Sequence, residues 1–340
     1  MKIYDLRSDT ITLQTPQMRE AMYHAEVGDD VYGEDKTVNT LEAMARELSG
    51  KEDSVFVSSG CMGNLLSLMI YGGRGNEVLC AKESHIIQHE IGAVSAIANT
   101  IPITVDSVNG IIDETTLENY IRPYSYDMGK SAMIEVENTT SGLIYPLEKM
   151  QKIKAIAEKH NMKVHLDGAR IFNAVVETGI PLSTWAKCAD DVTFCLSKGL
   201  GCPVGSMLCG DKEFIHLARR YRKMLGGGMR QIGYLAAAGI YALNNHVERL
   251  KEDHDNCKLI KEAIESTSWA RVLTYGTNIL FFTSDNYDIN KIVKKFNADG
   301  LLVLSECGAC RVVTNIGISK QDAEEIANYI KAFDPESINE

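Results

Sequence analysis

The chain has 340 residues, 45% of them hydrophobic, and a formal net charge of −11. No basic surplus exists to neutralise phosphates over a broad face, which excludes nucleic acid as a partner but leaves room for a local pocket for one small anion. No apolar run reaches the roughly 18 residues of a membrane helix, and the start, MKIYDLRSDT, puts charges where a signal peptide needs apolar residues. A cytoplasmic protein is expected, and nine cysteines fit a compartment in which thiols stay reduced.

The length exceeds one ordinary core, so one large and one smaller domain are expected. In chain order, apolar strand candidates are Ser54–Val57, Glu77–Cys80, Ala132–Val136, Val164–Leu166, Val192–Leu196 and Ser206–Cys209. Helical spacing of apolar positions runs between them over Thr37–Leu48, Pro146–His160 and Asp211–Met224. This alternation implies βαβ units and a mostly parallel sheet, in which ligands sit where strands end and helices begin. After Arg230, QIGYLAAAGIYALNNHVERLKEDHDN lacks Gly and Pro from Ile240 onward and predicts one long helix leading out of the large domain. Strands at Ile279–Phe282, Leu301–Leu304 and Arg311–Asn315, with helices at Ile289–Ala298 and Lys320–Ala332, complete the chain. The expectation is a large α/β domain over residues 1–246, including an N-terminal segment 1–15, and a small C-terminal α+β domain over 247–340.

Four segments carry candidate chemistry. In FCLSKGLG, Phe194–Gly201, an apolar strand runs into Ser197 and Lys198 and then two glycines. A lysine at the end of a buried strand is rarely buried without purpose, and lysine is the side chain that forms Schiff bases. The alternative is a surface lysine leaving a strand before a turn. In KVHLDGARIF, Lys163–Phe172, Asp167 closes a strand and Arg170 follows three residues later. A carboxylate there can hold a protonated ring nitrogen such as that of pyridoxal phosphate, or the two form an ion pair within the loop. In SSGCMGN, Ser58–Asn64, a Ser/Gly turn opens a helix and offers free N–H groups to a phosphate. Neither dinucleotide nor nucleoside-triphosphate glycine motif occurs. In KMLGGGMRQ, Lys223–Gln231, three glycines lie between Lys223 and Arg230, either near a phosphate or in a flexible connector with solvated charges. Cys307 and Cys310 form a C-x-x-C, but no second cysteine or histidine pair completes a zinc site, so packing is the expected role and no metal is implied. Cys195, Cys202 and Cys209 read as small core residues.

Together DLRSDT, GDDVYGED at Gly28–Asp35, HLDGARIFNAV at His165–Val175, CLSKGLGCPVGS at Cys195–Ser206 and RKMLGGGMRQ at Arg222–Gln231 resemble the L-threonine aldolases, from the first residues to about residue 330. The resemblance implies pyridoxal 5'-phosphate, the aspartate-aminotransferase-like fold, and retro-aldol cleavage of L-threonine, L-allo-threonine and related β-hydroxy-amino acids to glycine and an aldehyde. By the same resemblance Lys198 is the Schiff-base lysine, Asp167 the partner of the pyridine nitrogen, and Arg170 a group near the ring oxygen and the substrate carboxylate. His85, in KESHIIQHE, stacks on the ring and is the leading base; Ser8 and Arg311 grip the α-carboxylate. Ser59, Gly60, Cys61 and Ser197 belong to the cofactor-phosphate region, where relatives commonly show Thr-Gln in place of Cys61-Met62. Lys223 and Arg230 reach the phosphate of a neighbouring subunit, and Tyr32 lies near the partner's site. The family assembles as dimers or tetramers. Many relatives carry a second histidine near the substrate hydroxyl; here YSYDMGKSAMIEVENT leaves Tyr126 or Asp127 nearest. Rival readings are a β-eliminating lyase on the same fold and a non-enzymatic binder. Intact Lys198, Asp167 and Arg170 count against the binder, and the aldolase-type motifs at both ends count against the lyase.

Overall fold

A computed structural model describes residues 2–339. Numbering the strands of the two main sheets in chain order, the larger sheet contains β1 (Asp53–Val57), β2 (Glu77–Ala81), β3 (Ile101–Val105), β4 (Ser131–Glu137), β5 (Lys163–Asp167), β6 (Asp191–Cys195) and β7 (Ser206–Gly210). Their spatial order is β1-β7-β6-β5-β4-β2-β3. Only β7 runs antiparallel, to β1 and β6 on either side of it. All six expected strands are present, and their residues are buried almost without break, as strands covered on both faces must be. The additional strand, β3, is an edge strand in which Pro102 sits; proline cannot donate to a ladder, so the segment lacks a clear strand signature.

The smaller sheet is antiparallel, in the order β8 (Arg271–Gly276), β9 (Ile279–Thr283), β11 (Ala309–Val313), β10 (Leu304–Glu306). Helices Ile289–Ala298 and Lys320–Ala332 pack on it, and Phe282, Phe296 and Trp269 anchor its core. Leu6 also lies in this second core, and Tyr4–Asp5 pairs in parallel with Leu301–Leu302. The N-terminal segment therefore touches the small sheet before turning back towards the large one. Arg311 lies in the middle of its strand rather than at the start.

The single long helix expected after Arg230 is two, Gly233–Asn245 and Leu250–Glu265. His246 ends the first. Its imidazole is 5% exposed and meets the Leu200 carbonyl at 2.8 Å, a tertiary contact that outweighs helix propensity. The two cores meet along the second helix: Leu250 packs with the first, and Cys257, Ile260 and Ile264 with the second.

The acidic motif Gly28–Asp35 and the basic helix Lys212–Met224 explain one another. Asp30 pairs with buried Arg222 at 2.8 Å, and Arg219 pairs with Glu42 at 2.6 Å. Asp35 caps the helix Lys36–Ser49 and also accepts from the Gly233 N–H at 2.9 Å. Of the four cations clustered in the basic helix, Arg219, Arg220, Arg222 and Lys223, two are thus turned inward on carboxylates. Cys195, Cys202 and Cys209 are buried. Cys310 is buried on β11 and Cys307 is exposed in the hairpin turn before it. Among the described residues no helix is long and apolar enough to cross a membrane.

Candidate active site

At the carboxyl ends of β4, β5 and β6 a cavity of ≈ 270 Å³ is lined by residues of both sheets and of the loops that leave them. Glu137 and Asp167 come from the ends of β4 and β5, and Lys198 from the loop after β6. Ile279, Phe281 and Arg311 come from the small sheet, and Ser8 from the N-terminal segment. His85, at the head of a short helix after β2, and Arg170, after β5, close the ring. Residues spread over most of the chain meet there because parallel strands end on one side of a sheet.

Asp167 is 5% exposed. One of its oxygens accepts from the Ala169 N–H at 2.9 Å, and the other from Asn64 Nδ2 at 2.7 Å. Burial would raise this carboxyl, but the nearby positive charges of Lys198, His165 and His85 outweigh it and hold it below the usual carboxylate range. Asn64 also donates to Glu90 at 2.9 Å, and Glu90 takes His85 Nδ1 at 2.8 Å. That hydrogen bond raises the His85 imidazole pKa and leaves Nε2 as the ring nitrogen open to the cavity. Behind Asn64 stands a fully buried pair, His165 Nδ1 to Asp191 Oδ2 at 2.7 Å, with His165 Nε2 at 3.0 Å from Asn64 Oδ1.

Arg170 is clamped by Asp9, whose carboxylate takes Nε at 2.7 Å and Nη2 at 2.6 Å, while Asn278 donates to the same Asp9 at 3.2 Å. Arg311 meets Glu306 at 3.5 Å, and burial together with neighbouring Arg170 lowers its pKa. Ser8 both lines the cavity and caps the short turn Asp9–Ile11, accepting from the Thr10 N–H at 3.2 Å. Glu137 accepts from the His85 N–H, and burial beside Asp167 pushes its carboxyl up to about 7. Two sets of ligand-type atoms lie close, Cys61 with His85 and Glu90, and Glu135 with Glu137 and Asp167. In the first, a hydrogen bond already joins the imidazole and the carboxylate; in the second, burial drives Glu135 and Glu137 towards their protonated forms.

Ser59, Gly60, Cys61 and Ser197 follow the carboxyl ends of β1 and β6 and do not line the cavity; Cys61 comes nearest, its sulfur within 4.8 Å of the ligand-type atoms of His85 and Glu90. Ser59 caps the helix Gly60–Ser67, accepting from the Met62 N–H at 3.2 Å. A Cβ on Gly60 would lie 2.8 Å from Cys195 Sγ, so only glycine fits there. Gly227 lies close to the Met62 side chain, where a Cβ would come 2.7 Å from Sδ and the flexible thioether would have to shift. Tyr32, Lys223 and Arg230 are exposed and do not line this cavity. Arg230 pairs with Asp29 at 2.9 Å and lies 5.9 Å from the Tyr32 ring centre.

Tyr126 and Asp127 correct an expectation. They occupy the loop before β4, at the opposite end of the sheet from Lys198, where Tyr126 is 96% exposed and Asp127 accepts from Ser125. A loop entering a strand that ends at the cavity begins a strand's length away from it, so neither residue joins this chain's cavity. Reading the sequence also missed Asp9, Asn64, Glu90, His165 and Asp191. All but Asp191 stood inside quoted segments, Asp9 in DLRSDT, Asn64 in SSGCMGN, Glu90 in KESHIIQHE and His165 in HLDGARIFNAV, but nothing in those segments says what each of them faces.

The residues fit a pyridine-aldehyde cofactor. An amine and a buried carboxylate open on one cavity, an imidazole faces it, and a helix start with glycine-only spacing lies alongside. In the wall Thr139 Oγ1 is buried without a protein partner. These are the groups a pyridoxal phosphate would need, carried on a mostly parallel sheet and a smaller antiparallel one.

The chain belongs to the beta-eliminating lyase family, whose model matches residues 5–286. It is 39% identical over 330 residues to the low specificity L-threonine aldolase of Escherichia coli K12, covering 97% of this chain and 98% of the relative. It is 34% identical over 340 residues to the low specificity L-threonine aldolase of Saccharomyces cerevisiae, covering 97% and 86%. In fold it is similar to the Leishmania major threonine aldolase, with a TM-score of 0.84, 21% identity and coverage of 96% and 98%. A serine palmitoyltransferase of Sphingomonas wittichii shares the fold at a TM-score of 0.76 and 17% identity, covering 97% and 86%, so fold alone does not select the reaction. The cofactor is pyridoxal 5'-phosphate and the enzyme is a carbon–carbon lyase.

Proposed function

We propose that the protein cleaves L-threonine, L-allo-threonine and related L-β-hydroxy-amino acids to glycine and an aldehyde, with Lys198 as the covalent anchor of the cofactor. One observation carries the reading: Lys198, Asp167 and His85 face a single cavity whose wall also holds two guanidinium groups, Arg170 and Arg311. Bound pyridoxal phosphate supplies an electron sink for the pair released when Cα–Cβ breaks. The protein does the rest. Arg170 and Arg311, with Ser8, grip the α-carboxylate and fix which bond stands across the ring plane. His85, with Nδ1 directed to Glu90, presents Nε2 to the β-hydroxyl and takes its proton. Asp167 holds the proton on the ring nitrogen. The N–H groups heading the helix Gly60–Ser67, with Ser59, Cys61 and Ser197, receive the phosphate.

The placement of Tyr32, Lys223 and Arg230 outside their own chain's cavity supports a homo-oligomer, dimer or tetramer, in which they complete a neighbour's phosphate site. Asp127 has no role in its own chain's cavity on this reading. The distribution of the two cores supports a division into residues 1–246 and 247–340, with the N-terminal segment bridging both. A cytoplasmic location is proposed from the nine free cysteines, which suit a compartment that keeps thiols reduced.

The test is product analysis with purified protein, added cofactor and a Lys198→Ala control. Equal amounts of acetaldehyde and glycine from L-threonine or L-allo-threonine, absent in the variant, are the expected result. A 2-oxo acid with ammonia would transfer the assignment to β-elimination.

A further inference from the structure

We infer that His165 is a permanent buried imidazolium, held by Asp191, and that through the single side chain of Asn64 it sets the charge and orientation of both working groups, Asp167 and His85. This rests on the assignment of Asp167 as partner of the cofactor nitrogen. His165, Asp191 and Asn64 do not line the cavity described above and act as positioning residues.

The argument is one of donors and acceptors. Asn64 Nδ2 faces two carboxylates, Asp167 at 2.7 Å and Glu90 at 2.9 Å. Carboxylates accept, so the nitrogen end of the amide is fixed there and Oδ1 must face the other way. It faces His165 Nε2 at 3.0 Å. An amide oxygen only accepts, so Nε2 carries a proton. The other ring nitrogen, Nδ1, lies 2.7 Å from Asp191 Oδ2. That oxygen also takes the Ser67 hydroxyl at 2.6 Å, the shorter of the two contacts that hydroxyl makes. Of the two groups sharing the Nδ1–Oδ2 contact the carboxyl is the stronger acid, about 3.9 against about 6.5, and, against the effect of its burial, Asp191 raises the imidazole, so the shared proton sits on Nδ1 as well. Both ring nitrogens are donors, which only the cation allows.

Burial separates this pair from water: His165 and Asp191 are each 0% exposed. An ion pair so placed has no solvent to exchange with, and its field acts over the short path to Asn64. The positive imidazolium draws on Oδ1, which strengthens both N–H groups of the same amide. One of them holds Asp167 as the carboxylate that a protonated ring nitrogen needs. The other holds Glu90 Oε1, whose remaining contact is His85 Nδ1 at 2.8 Å, and so fixes which imidazole nitrogen faces the substrate. The sequence places the pair economically. His165 and Asp167 point to one face of β5 because they are two residues apart, and Asp191 lies opposite His165 in the register of β5 with β6.

The test begins with the unmodified holoenzyme, labelled with nitrogen-15 in its eight histidines. Ring-nitrogen spectra should show one histidine protonated at both nitrogens and unchanged from about pH 6 to about pH 9, where exposed histidines have lost their charge. Asp191→Asn should remove that signal, weaken cofactor binding about tenfold (~1.4 kcal/mol) and shift the pH titration of the bound cofactor's absorbance. It should lower kcat with little change in KM for L-threonine. Asn64→Ser keeps the ion pair and cuts the relay, so it should leave the doubly protonated signal in place and still move the absorbance titration. A purely structural pair would lower the melting temperature without moving that titration. The inference is overturned by a neutral, single-proton His165 in wild type, or by an Asn64→Ser enzyme whose cofactor titrates as wild type. If the wild-type enzyme binds cofactor and cleaves threonine while His165 is neutral, this inference alone fails. If the cofactor does not bind at all, the assignment beneath it fails first.

Discussion

Removing the Asp9 carboxylate tests how Arg170, the arginine proposed to grip the substrate carboxylate, is held. Asp9 is 0% exposed and takes two bonds from Arg170, at 2.7 and 2.6 Å, while Asn278 adds a third at 3.2 Å. Asp9→Ala leaves a guanidinium that is 14% exposed with no counter-ion on that side. Breaking a buried pair from one end costs about 3–5 kcal/mol; the lower figure applies because Arg170 keeps an opening to the cavity. Freed from its clamp, Arg170 loses the fixed fork that a bidentate carboxylate needs. A loss of ~1.4–2.8 kcal/mol in that grip corresponds to a roughly 10- to 100-fold rise in KM for L-threonine. Asp9→Asn keeps shape and the neighbour Asn278 but removes the charge, so its effects should fall between wild type and Asp9→Ala. The sign with pH follows from the carboxyl. Burial opposes ionisation, but Arg170 and Lys198 outweigh it, so the folded pKa lies below the unfolded one. The stabilisation is therefore complete above the unfolded value, about 4, and is lost as pH falls through the folded value. Urea unfolding followed from neutral to acid pH, with steady-state kinetics at neutral pH, measures both effects. An Asp9→Ala enzyme with unchanged midpoint and unchanged KM would refute the clamp.

Other substitutions separate further parts of the design. Gly60→Ala puts a methyl 2.8 Å from buried Cys195 Sγ, so overpacking by about 1–3 kcal/mol and weaker cofactor retention are expected; equilibrium dialysis of the cofactor checks it. The Glu137 carboxyl, pushed up to about 7 by burial and Asp167, binds more protons folded than unfolded between roughly pH 4.5 and 7. It contributes stability below that window that is lost as pH rises through it. Glu137→Gln should flatten this decline in urea midpoints measured from pH 5 to 8, and an unaltered slope would count against the shift. His246→Leu removes the donor to the Leu200 carbonyl at 2.8 Å. It should lower stability by about 1–3 kcal/mol and speed hydrogen exchange in the loop carrying Lys198.

Much of the molecule was legible in the chain alone. Buried strands read as apolar runs, and helices as 3.6-residue spacing, because burial on a periodic backbone imposes both patterns locally. Lys198 and Asp167 were visible because polar residues ending apolar strands are unusual in one dimension as well as in three. The tertiary structure decided the rest. Helix propensity favoured continuity through His246, but a contact to Leu200 in another segment ended the helix there. Asp127 stood near the right strand in sequence, yet strand direction carried it to the wrong end of the sheet. Asn64 and Glu90 close quoted segments, but their meaning lies wholly in what faces them across the fold. Asp9 was passed over for its neighbour Ser8, since no spacing rule links it to an arginine 161 positions away. Sequence periodicity records which face of an element is buried; hydrogen bonds between distant side chains depend on how elements are brought together, and local pattern holds no trace of that.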